Sequence, residues 1–294
     1  MGKFARADRQ AASVMKLLQG NVLRSAGTVR NYEQALTRVA EYAKAERVTG
    51  GLRGMDPQQA ITYLKHRGQS VGQKTLDMER QAMQAMMWHV SAKLPPKERL
   101  PVIKADTAQV LKARAYTQAQ VERVASAQSH KNALATRLAY AAGLRAHELH
   151  SLMPVAERGA DHRPALPSKF QGREGQRYTV QGKGGLVREV VIPNPLAQQL
   201  SGLRLAEPMT FTDRGVHYPK YYDLNGGKTW SSSFSAASTR ALGWSAGAHG
   251  VRHSYAQERM SELQDQGFTR AQALETVSQE MGHFRPDITE TYLR

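Results

Sequence analysis

The sequence predicts a mainly α-helical protein with one small antiparallel β-sheet, arranged as a helical N-terminal domain and a mixed C-terminal domain. Three observations support this fold class. Apolar residues recur at helical spacing along much of the chain, one stretch near 176–193 changes to strand-forming residues, and a basic, proline-containing segment separates two helical regions. With 294 residues, the chain is long enough for two domains with separate hydrophobic cores.

The composition is that of a folded protein with an unusual excess of positive charge. Hydrophobic residues make up 40% of the chain and charged residues 22%, yet the formal net charge is +16. Residues 1–116 carry 20 Lys and Arg against 9 Asp and Glu, whereas residues 117–294 carry 21 against 16. Such an excess indicates a polyanionic partner, with nucleic acid the first candidate and an anionic membrane surface the second.

The absence of cysteine excludes disulfides, thiolate catalysis and cysteine-based zinc sites. No apolar run is long enough to span a bilayer, and no basic amphipathic stretch with a Trp-, Phe- and Leu-rich face stands out. We therefore expect a cytoplasmic protein that binds nucleic acid rather than a membrane.

The first hundred residues predict a small helical bundle. Residues 1–24 are basic with one short apolar patch, which predicts either a short helix or a mobile arm. A helix beginning near residue 28 has an apolar face made of Tyr32, Leu36, Val39 and Ala43. Asp56-Pro57 begins the next helix as its N-cap and first-turn proline. A further helix over roughly residues 75–92 has a methionine-rich core face.

The loops and helix ends of this bundle display cations that we predict to contact the phosphates of a nucleic acid. They are Arg24, Arg30, Arg53, Lys65, Arg67, Lys74 and Arg80. Side chains of this kind neutralise phosphates and contribute a salt-dependent affinity without reading the base sequence.

The pair Pro95-Pro96 interrupts the helical pattern and begins a basic, weakly periodic stretch. We place the N-terminal domain at 1–105, the linker at 106–116 and the C-terminal domain at 117–294. The C-terminal domain opens with a capping-box sequence at 117–120, which predicts a new helix.

Arg145 and Glu148 are the first candidate functional residues of the C-terminal domain. They follow a helix that ends at Gly143, and they are three positions apart. Either Glu148 orients Arg145 to clamp a phosphate, or the two form a surface ion pair of little consequence. The spacing alone favours the surface pair.

A β-hairpin is predicted from two runs of strand-forming residues, 177–180 and 187–192. The glycine-rich turn between them carries Lys183, which either solvates the turn or reaches a bound phosphate backbone. Residues 205–247 show little pattern, and we expect them to include a long loop before the last helices.

The C-terminal stretch contains His249, Arg252 and His253 at the start of a predicted helix. The two histidines have the spacing of a zinc site, but a cation between the ligands opposes a metal ion. His253 alternatively is a hydrogen-bonded core histidine.

The last two candidates follow the next helix. His283 comes directly after Gly282, where that helix ends, and Tyr292 lies in a short final segment that Pro286 opens. Tyrosines in such terminal turns usually pack on a core.

Four patterns, in this order and at this spacing, resemble the motifs of the tyrosine recombinases, the phage integrase family. They are Gly143-Leu-Arg145-x-x-Glu148-Leu149, Gly182-Lys183-Gly-Gly-x-x-Arg188, His249-x-x-Arg252-His253, and Met281-Gly282-His283 followed by Tyr292. The match covers 117–294 at the level of motifs. Residues 1–105 are similar to the family only in architecture, as a basic helical core-binding domain of the SAM-like type.

The resemblance implies a site-specific DNA recombinase that forms a 3′-phosphotyrosyl intermediate, for integration or excision of a mobile element. Tyr292 would be the nucleophile, Arg145 and Arg252 would bind the phosphate, and Lys183 would protonate the leaving 5′-oxygen. His249 and His283 would donate hydrogen bonds, with His249 guiding the phenolic proton, while Glu148 and His253 would support the site.

The same resemblance implies partners and excludes cofactors. The partner would be double-stranded DNA with a specific site, bound by a homotetramer on paired sites and assisted by DNA-bending or directionality proteins. The covalent intermediate conserves the energy of the broken bond, so neither ATP nor a metal ion is expected.

Two other functions fit the same residues. One is a type IB topoisomerase-like enzyme, which uses similar chemistry without strand exchange. The other is a catalytically inactive DNA-binding accessory protein, against which the complete set of candidate residues argues. Because Tyr292 lies two residues from the end of the sequence, we expect it to be ordered only when DNA or a neighbouring protomer holds the last helix.

Overall fold

The computed structural model describes the chain except for residues 1–4, 21, 24, 25, 96, 109, 110, 183, 214 and 215. It divides into two compact units, Met1–Val110 and Leu111–Arg294. The predicted linker, 106–116, contains the division. Leu94 and Leu100 pack in the hydrophobic core of the first unit, so the basic stretch that begins near Pro95 is partly a structural element of that unit.

The described part of the N-terminal unit contains four α-helices and one 3₁₀ turn. The helices are α1 (Ala7–Leu18), α2 (Ala26–Ala45), α3 (Pro57–Gly68) and α4 (Gln73–His89), and the turn is Gly51–Gly54. The predicted capping of α3 is confirmed, because the Asp56 carboxylate accepts from the Gln59 backbone and the Gln59 side chain caps Asp56 in return. Helix α4 was predicted over 75–92. It begins two residues earlier than predicted, at Gln73, and ends three residues earlier, at His89.

Of the two alternatives for the N-terminus, a short helix and a mobile arm, the structure shows a helix for residues 7–18. Ala11, Val14, Met15 and Leu18 lie on one face of α1 and are buried in the core of the unit. Their spacing of three and four residues is that of an amphipathic helix. The short apolar patch in the sequence did not by itself distinguish such a helix from a mobile arm. The methionines Met83, Met86 and Met87 of α4 are fully buried, as predicted.

The C-terminal unit opens with two helices and a small sheet. Helix α5 (Gln118–Ser126) starts at the predicted capping box, and α6 (His130–Ala141) ends just before Gly143. Strands β1 (Met153–Pro154), β2 (Gln176–Gln181) and β3 (Val187–Ile192) form an antiparallel sheet in that order. Gln176 pairs with Ile192 and Gln181 with Val187, so the predicted β-hairpin is confirmed.

The prediction of a long loop over 205–247 is wrong. After α7 (Asn194–Ser201), the chain forms a second antiparallel pair, β4 (Arg204–Asp213) and β5 (Val216–Tyr222), followed by α8 (Gly227–Leu242). Most described residues of β4 are exposed, so the strand lacks the alternation of apolar and polar residues that identifies a half-buried strand in a sequence. Phe211 and Tyr218 instead pack their rings against His150.

Three helices complete the C-terminal unit: α9 (Gly250–Asp265), α10 (Arg270–Glu280) and α11 (Pro286–Glu290). Their core contains Tyr255, Leu263, Val277 and Met281. Ser254 ties α9 to the segment before α5, since its hydroxyl accepts from the Tyr116 backbone N–H and donates to the Tyr116 carbonyl. None of the described helices is both long and apolar enough to cross a membrane.

Gly143 permits the close approach of α9 to the end of α6. Its φ is +58°, and a Cβ atom there would lie 2.6 Å from the Tyr255 ring. Gly243 offers a matched control, because its φ is +80° but a Cβ atom at that position would have no heavy atom within 4 Å.

We expect Gly143→Ala to destabilise the protein by about 1–3 kcal/mol more than Gly243→Ala, because only Gly143→Ala overpacks a buried ring. Both substitutions incur a left-handed backbone cost of about 1–2 kcal/mol. Urea unfolding of the two variants measures the difference. Equal losses of stability in the two variants would show that the Tyr255 ring can move aside without lowering the free energy of unfolding.

Candidate active site

Tyr292 lies in a pocket formed by three histidines and an arginine of the same chain. The residue is 9% exposed. The ring centroid of Tyr292 is 5.5 Å from that of His249, 4.8 Å from that of His253 and 5.1 Å from that of His283. The Arg252 guanidinium carbon lies 5.6 Å from the Tyr292 ring centroid. The structure therefore brings these predicted residues together.

The expectation that Tyr292 needs DNA or another protomer to become ordered is wrong. Besides the ring contacts, the Gln257 side-chain amide donates to the carbonyls of Tyr292 (3.1 Å) and Arg294 (3.0 Å). The groups that hold Tyr292 come from the start of α9 and from the turn after α10, within one chain. Tertiary packing thus overcomes the tendency of a terminal turn to fray.

Arg252 is fully buried in the first turn of α9. Its Nη1 donates to the Gly143 carbonyl, and its Nη2 donates to the Met281 carbonyl (2.6 Å) and to Nε2 of His283 (3.1 Å). Burial, reinforced by the Arg145 charge, lowers the pKa of Arg252 to about 10. The guanidinium therefore stays positive at neutral pH, and its Nε has no acceptor within the described structure.

Glu148 joins Arg145 and Arg188 in one hydrogen-bonded cluster, rather than forming with Arg145 alone the surface pair that their spacing favours. Glu148 is fully buried at the start of a 3₁₀ turn, Glu148–Ser151. Its carboxylate accepts from the Arg145 backbone N–H and Nη1, both at 2.8 Å, and from Arg188 Nη2 at 2.7 Å. Burial alone would raise the pKa of Glu148, but Arg188, Arg252 and Arg145 together hold it well below its ordinary value.

His283 is held as a neutral ring with a defined tautomer. Since a guanidinium only donates, His283 Nε2 accepts from Arg252, and Nδ1 therefore carries the proton that it donates to Thr289 Oγ1 at 3.0 Å. Burial and the Arg252 charge lower the pKa of His283 to about 3. Thr289, which is fully buried in α11, thereby connects the last helix to the site.

His249 and His253 lie on one side of the start of α9. His249 is the N-cap residue of the helix, and desolvation followed by the Arg252 and His253 charges lowers its pKa. His253 is 3% exposed and packs directly on Tyr292, as expected of a core histidine, but its Nδ1 has no hydrogen-bond partner within the described structure. Within the described residues, no group of three or more His, Asp or Glu side chains is arranged to hold a metal ion.

Lys183 lies outside the described residues, but the hairpin beside it does not. Gly182 donates to the Leu186 carbonyl at 2.7 Å, which closes the turn between β2 and β3. A Cβ atom at Gly182 would lie 3.5 Å from Glu148 Oε1 and 3.9 Å from Arg145 Nη1. The end of β2 therefore lies directly against the Arg145–Glu148 pair.

Several residues that complete the site were not assigned a role from the sequence. The candidate residues are supported by a set of hydrogen bonds that involve Arg188, Thr289, Gln257 and Glu280. Arg188 stands within one of the four motifs, and its position in a strand with buried neighbours was the available signal. The other three have no pattern that separates them from ordinary helix residues.

The predicted DNA-contacting cations of the N-terminal unit differ in their surroundings. Arg30, Lys65 and Lys74 are exposed, whereas Arg24 lies outside the described residues. The remaining three make contacts within the unit. Arg53 donates to Ser13, Arg67 donates to the buried carboxylate of Glu79, and Arg80 donates to the Leu100 carbonyl.

Comparisons with known proteins establish the fold. No protein-family model matches the sequence, and no curated protein matches it. Among solved structures, a lambda integrase dimer bound to a COC′ core site matches with a TM-score of 0.60 and 13% identity, over 97% of this chain and 95% of that chain. The same integrase also matches as a tetramer bound to a Holliday junction, with a TM-score of 0.55 and 14% identity, over 97% and 76%.

Two further recombinases match over nearly the whole chain. XerH recombinase bound to palindromic difH substrate has a TM-score of 0.59 and 15% identity, over 98% of this chain and 81% of that chain. The Tn1549 transposon integrase in complex with transposon right end DNA has a TM-score of 0.56 and 15% identity, over 99% and 95%. The protein thus has the fold of the tyrosine recombinases, and the predicted fold class and resemblance are confirmed at that level.

The buried histidines predict that the C-terminal unit loses stability in mild acid. Burial, with the nearby Arg114 and Arg294 charges, lowers the pKa of His253 to about 4, against about 6.5 in an unfolded chain. Between these values the unfolded chain binds a proton that the folded chain does not, so stability falls as the pH falls below about 6.5.

We expect the wild-type protein to lose roughly 1–2 kcal/mol more than His253→Gln between about pH 7 and about pH 5. The variant lacks the imidazole of residue 253, so the pH dependence of its stability reports the remaining titratable groups. Urea unfolding at the two pH values measures both. Parallel losses in the two proteins would contradict the assignment of this effect to His253.

Proposed function

We propose that this protein is a site-specific DNA recombinase that cleaves and rejoins DNA through a phosphodiester bond to Tyr292. One observation carries the proposal: Tyr292 packs against Arg252 and three histidines, and the charges of Arg145 and Glu148 act on the same Arg252 guanidinium. These groups come from segments that are far apart in the sequence, and each suits a reaction at a phosphate. The shared fold supports the same function.

In the proposed reaction, the Tyr292 phenolic oxygen attacks the phosphorus and the bond to the 5′-oxygen breaks. A 3′-phosphotyrosyl link forms, and the leaving 5′-oxygen takes a proton, which we assign to Lys183. We assign the acceptance or guidance of the phenolic proton to His249, whose ring is exposed at the N-cap of α9 and lies 5.5 Å from the Tyr292 ring, measured between centroids. Rejoining reverses these steps with the 5′-hydroxyl of another strand.

Arg145 and Arg252 stabilise the negative charge that develops on the non-bridging oxygens. The Arg145 side chain is 22% exposed and keeps donors available on its outer edge. Arg252 lies beneath the Tyr292 ring, and its Nε–H has no acceptor within the described structure. We infer that a phosphate first contacts Arg145 and reaches Arg252 when the Tyr292 ring turns away from the guanidinium.

The N-terminal unit supplies DNA affinity in this proposal. Residues 1–116 hold most of the charge excess, and α2 and α4 line a groove with Asn31, Gln34, Arg38, Lys74 and Thr75. The amide side chains are of the type that reads base edges, whereas the cations contact phosphates. We therefore add Arg38 to the predicted DNA-contacting cations. Arg67 and Arg80 form hydrogen bonds within the unit and contribute to its fold.

We further propose that the protein acts as a homotetramer on paired DNA sites of a mobile element in the cytoplasm. The matched lambda integrase forms a tetramer on a Holliday junction, and the Tn1549 integrase binds a transposon end. DNA-bending or directionality proteins would assist in selecting the sites. The guanidinium groups and the covalent bond supply the charge and energy that the reaction needs, without ATP or a metal ion.

We expect Tyr292→Phe to abolish the covalent DNA adduct while changing DNA affinity less than about threefold, or about 0.6 kcal/mol. Phenylalanine keeps the ring packing but lacks the attacking oxygen. A nicked suicide substrate carrying the recombination site, resolved by SDS gel electrophoresis, detects the adduct. An SDS-resistant adduct formed by the variant would assign the nucleophile to another residue, and absence of an adduct with wild type would reject the proposed function.

The packing of Tyr292 on its own chain predicts that each protomer cleaves with its own tyrosine. A mixture of Tyr292→Phe and Arg145→Gln should therefore form no more adduct than either variant alone, because no protomer holds both groups. Mixing each variant with wild type controls for assembly. Recovery of the adduct in the mixed variants would instead show that one protomer donates its tyrosine to another.

A further inference from the structure

We propose that Arg188 is a positioning residue that sets the two phosphate-binding arginines, a role that rests on the function proposed above. Arg188 belongs to β3 and is 4% exposed. It therefore does not contact DNA itself. Its effect on cleavage acts through Arg145 and Arg252.

Arg188 joins three separate segments of the C-terminal unit. Its Nη2 donates to Glu148 Oε2 at 2.7 Å and lies 3.5 Å from the Gly143 carbonyl, and its Nη1 donates to the Glu280 carbonyl at 2.7 Å. The hairpin, the turn after α6 and the end of α10 thus share one side chain. A planar fork with several donors meets this geometry, whereas a lysine ammonium does not.

The acceptors of Arg188 are the groups that hold Arg145 and Arg252. The Glu148 carboxylate also accepts from the backbone and side chain of Arg145. The Gly143 carbonyl also accepts from Arg252 Nη1, and Glu280 precedes Met281, whose carbonyl accepts from Arg252 Nη2. A displacement of Arg188 therefore moves the supports of both phosphate-binding groups together.

Gly282 provides the space that Arg188 occupies. A Cβ atom at Gly282 would lie 2.6 Å from Arg188 Cδ, and the φ of Gly282 is +71°. Gly282→Ala is therefore a second way to displace Arg188 that leaves its charge unchanged.

A buried arginine also contributes to stability by satisfying carbonyls, and this role must be separated from positioning. The two roles differ in what they do to the phosphate oxygens. Loss of stability alone lowers cleavage of every substrate by the same factor. Misplacement of Arg145 and Arg252 changes how the site distinguishes the two non-bridging oxygens.

The experiment measures single-turnover cleavage of suicide substrates whose scissile phosphate carries sulfur at one or the other non-bridging position. Arg188→Met and Arg188→Lys remove the fork, and Gly282→Ala displaces it. Arg259→Lys is the matched control, because Arg259 is also buried but binds the carboxylates of Glu280 and Glu262. DNA affinity and thermal unfolding are recorded for each protein, and rates are compared well below the lowest midpoint.

We expect Arg188→Met to cleave about 100-fold more slowly than wild type with DNA affinity within about twofold, as for a small misplacement of reacting groups. The ratio of the rates on the two sulfur diastereomers should move at least about fivefold toward unity in all three site variants, since both oxygen contacts are misplaced. The ratio should stay unchanged in Arg259→Lys. Arg188→Lys should cleave faster than Arg188→Met, because it keeps the charge opposite Glu148.

An unchanged ratio in the Arg188 variants, or a wild-type ratio of one, would overturn the positioning role while leaving the proposed function intact. Failure of the wild-type protein to form any adduct would instead reject the proposed function, and this inference with it. A melting temperature lowered equally in Arg188→Lys and Arg259→Lys, with the ratio changed only in the former, supports positioning beyond stability.

Discussion

The C-terminal unit depends on the ion pairs that the fully buried Glu148 carboxylate forms with its neighbouring arginines. It accepts hydrogen bonds from Arg145 and Arg188, and it lowers the electrostatic cost of keeping Arg252 charged in the same region. Guanidinium groups gathered without a counter-charge would repel one another and lose their hydration. One acidic residue therefore allows a cationic centre to exist inside the protein, where its charge acts through a low dielectric.

The N-terminal unit uses the same device. The buried carboxylate of Glu79 accepts from the Tyr63 hydroxyl at 2.8 Å and from Arg67 Nε, and Arg38 lies 3.7 Å from it. The Glu79 carboxylate joins α4 to α3 and holds Arg67 against the unit. In both units, a buried acid thus orients partly exposed arginines, Arg145 in one and Arg67 and Arg38 in the other.

The position of Tyr292 couples the last helix to the cationic centre. Thr289 of α11 accepts from His283, His283 accepts from Arg252, and the Tyr292 ring covers the Arg252 guanidinium. In the proposed reaction, the tyrosine must turn so that its oxygen and a phosphate share the space above Arg252. In this proposal, the contacts that hold Tyr292 also cover the side of Arg252 that the phosphate would reach, so the Tyr292 ring would have to move when DNA binds.

Local sequence patterns were sufficient to predict many of the elements and the candidate groups. Capping at Asp56, the β2–β3 hairpin, the methionine face of α4 and the motif residues from Arg145 to Tyr292 depend on spacing within a few residues, and propensity and periodicity report such spacing. Lys183 and the DNA-contacting cations stay predictions from the same source. The exposed strand β4 could not be predicted in this way because its side chains do not alternate between core and solvent.

Which groups are buried, and which of them contact one another, follows from the packing of segments that are distant in the sequence. The Arg188–Glu148 bond joins residues 40 positions apart, and the Arg252–Gly143 bond joins residues 109 apart. From sequence spacing alone, Arg145 and Glu148 were predicted to form a surface pair, and Tyr292 was expected to be disordered without a partner. Spacing could not predict their burial, because the burial of a residue depends on which distant segments pack over it. Long-range packing removed water from the carboxylate and fixed the tyrosine, and no pattern within a single helix or strand carries that information.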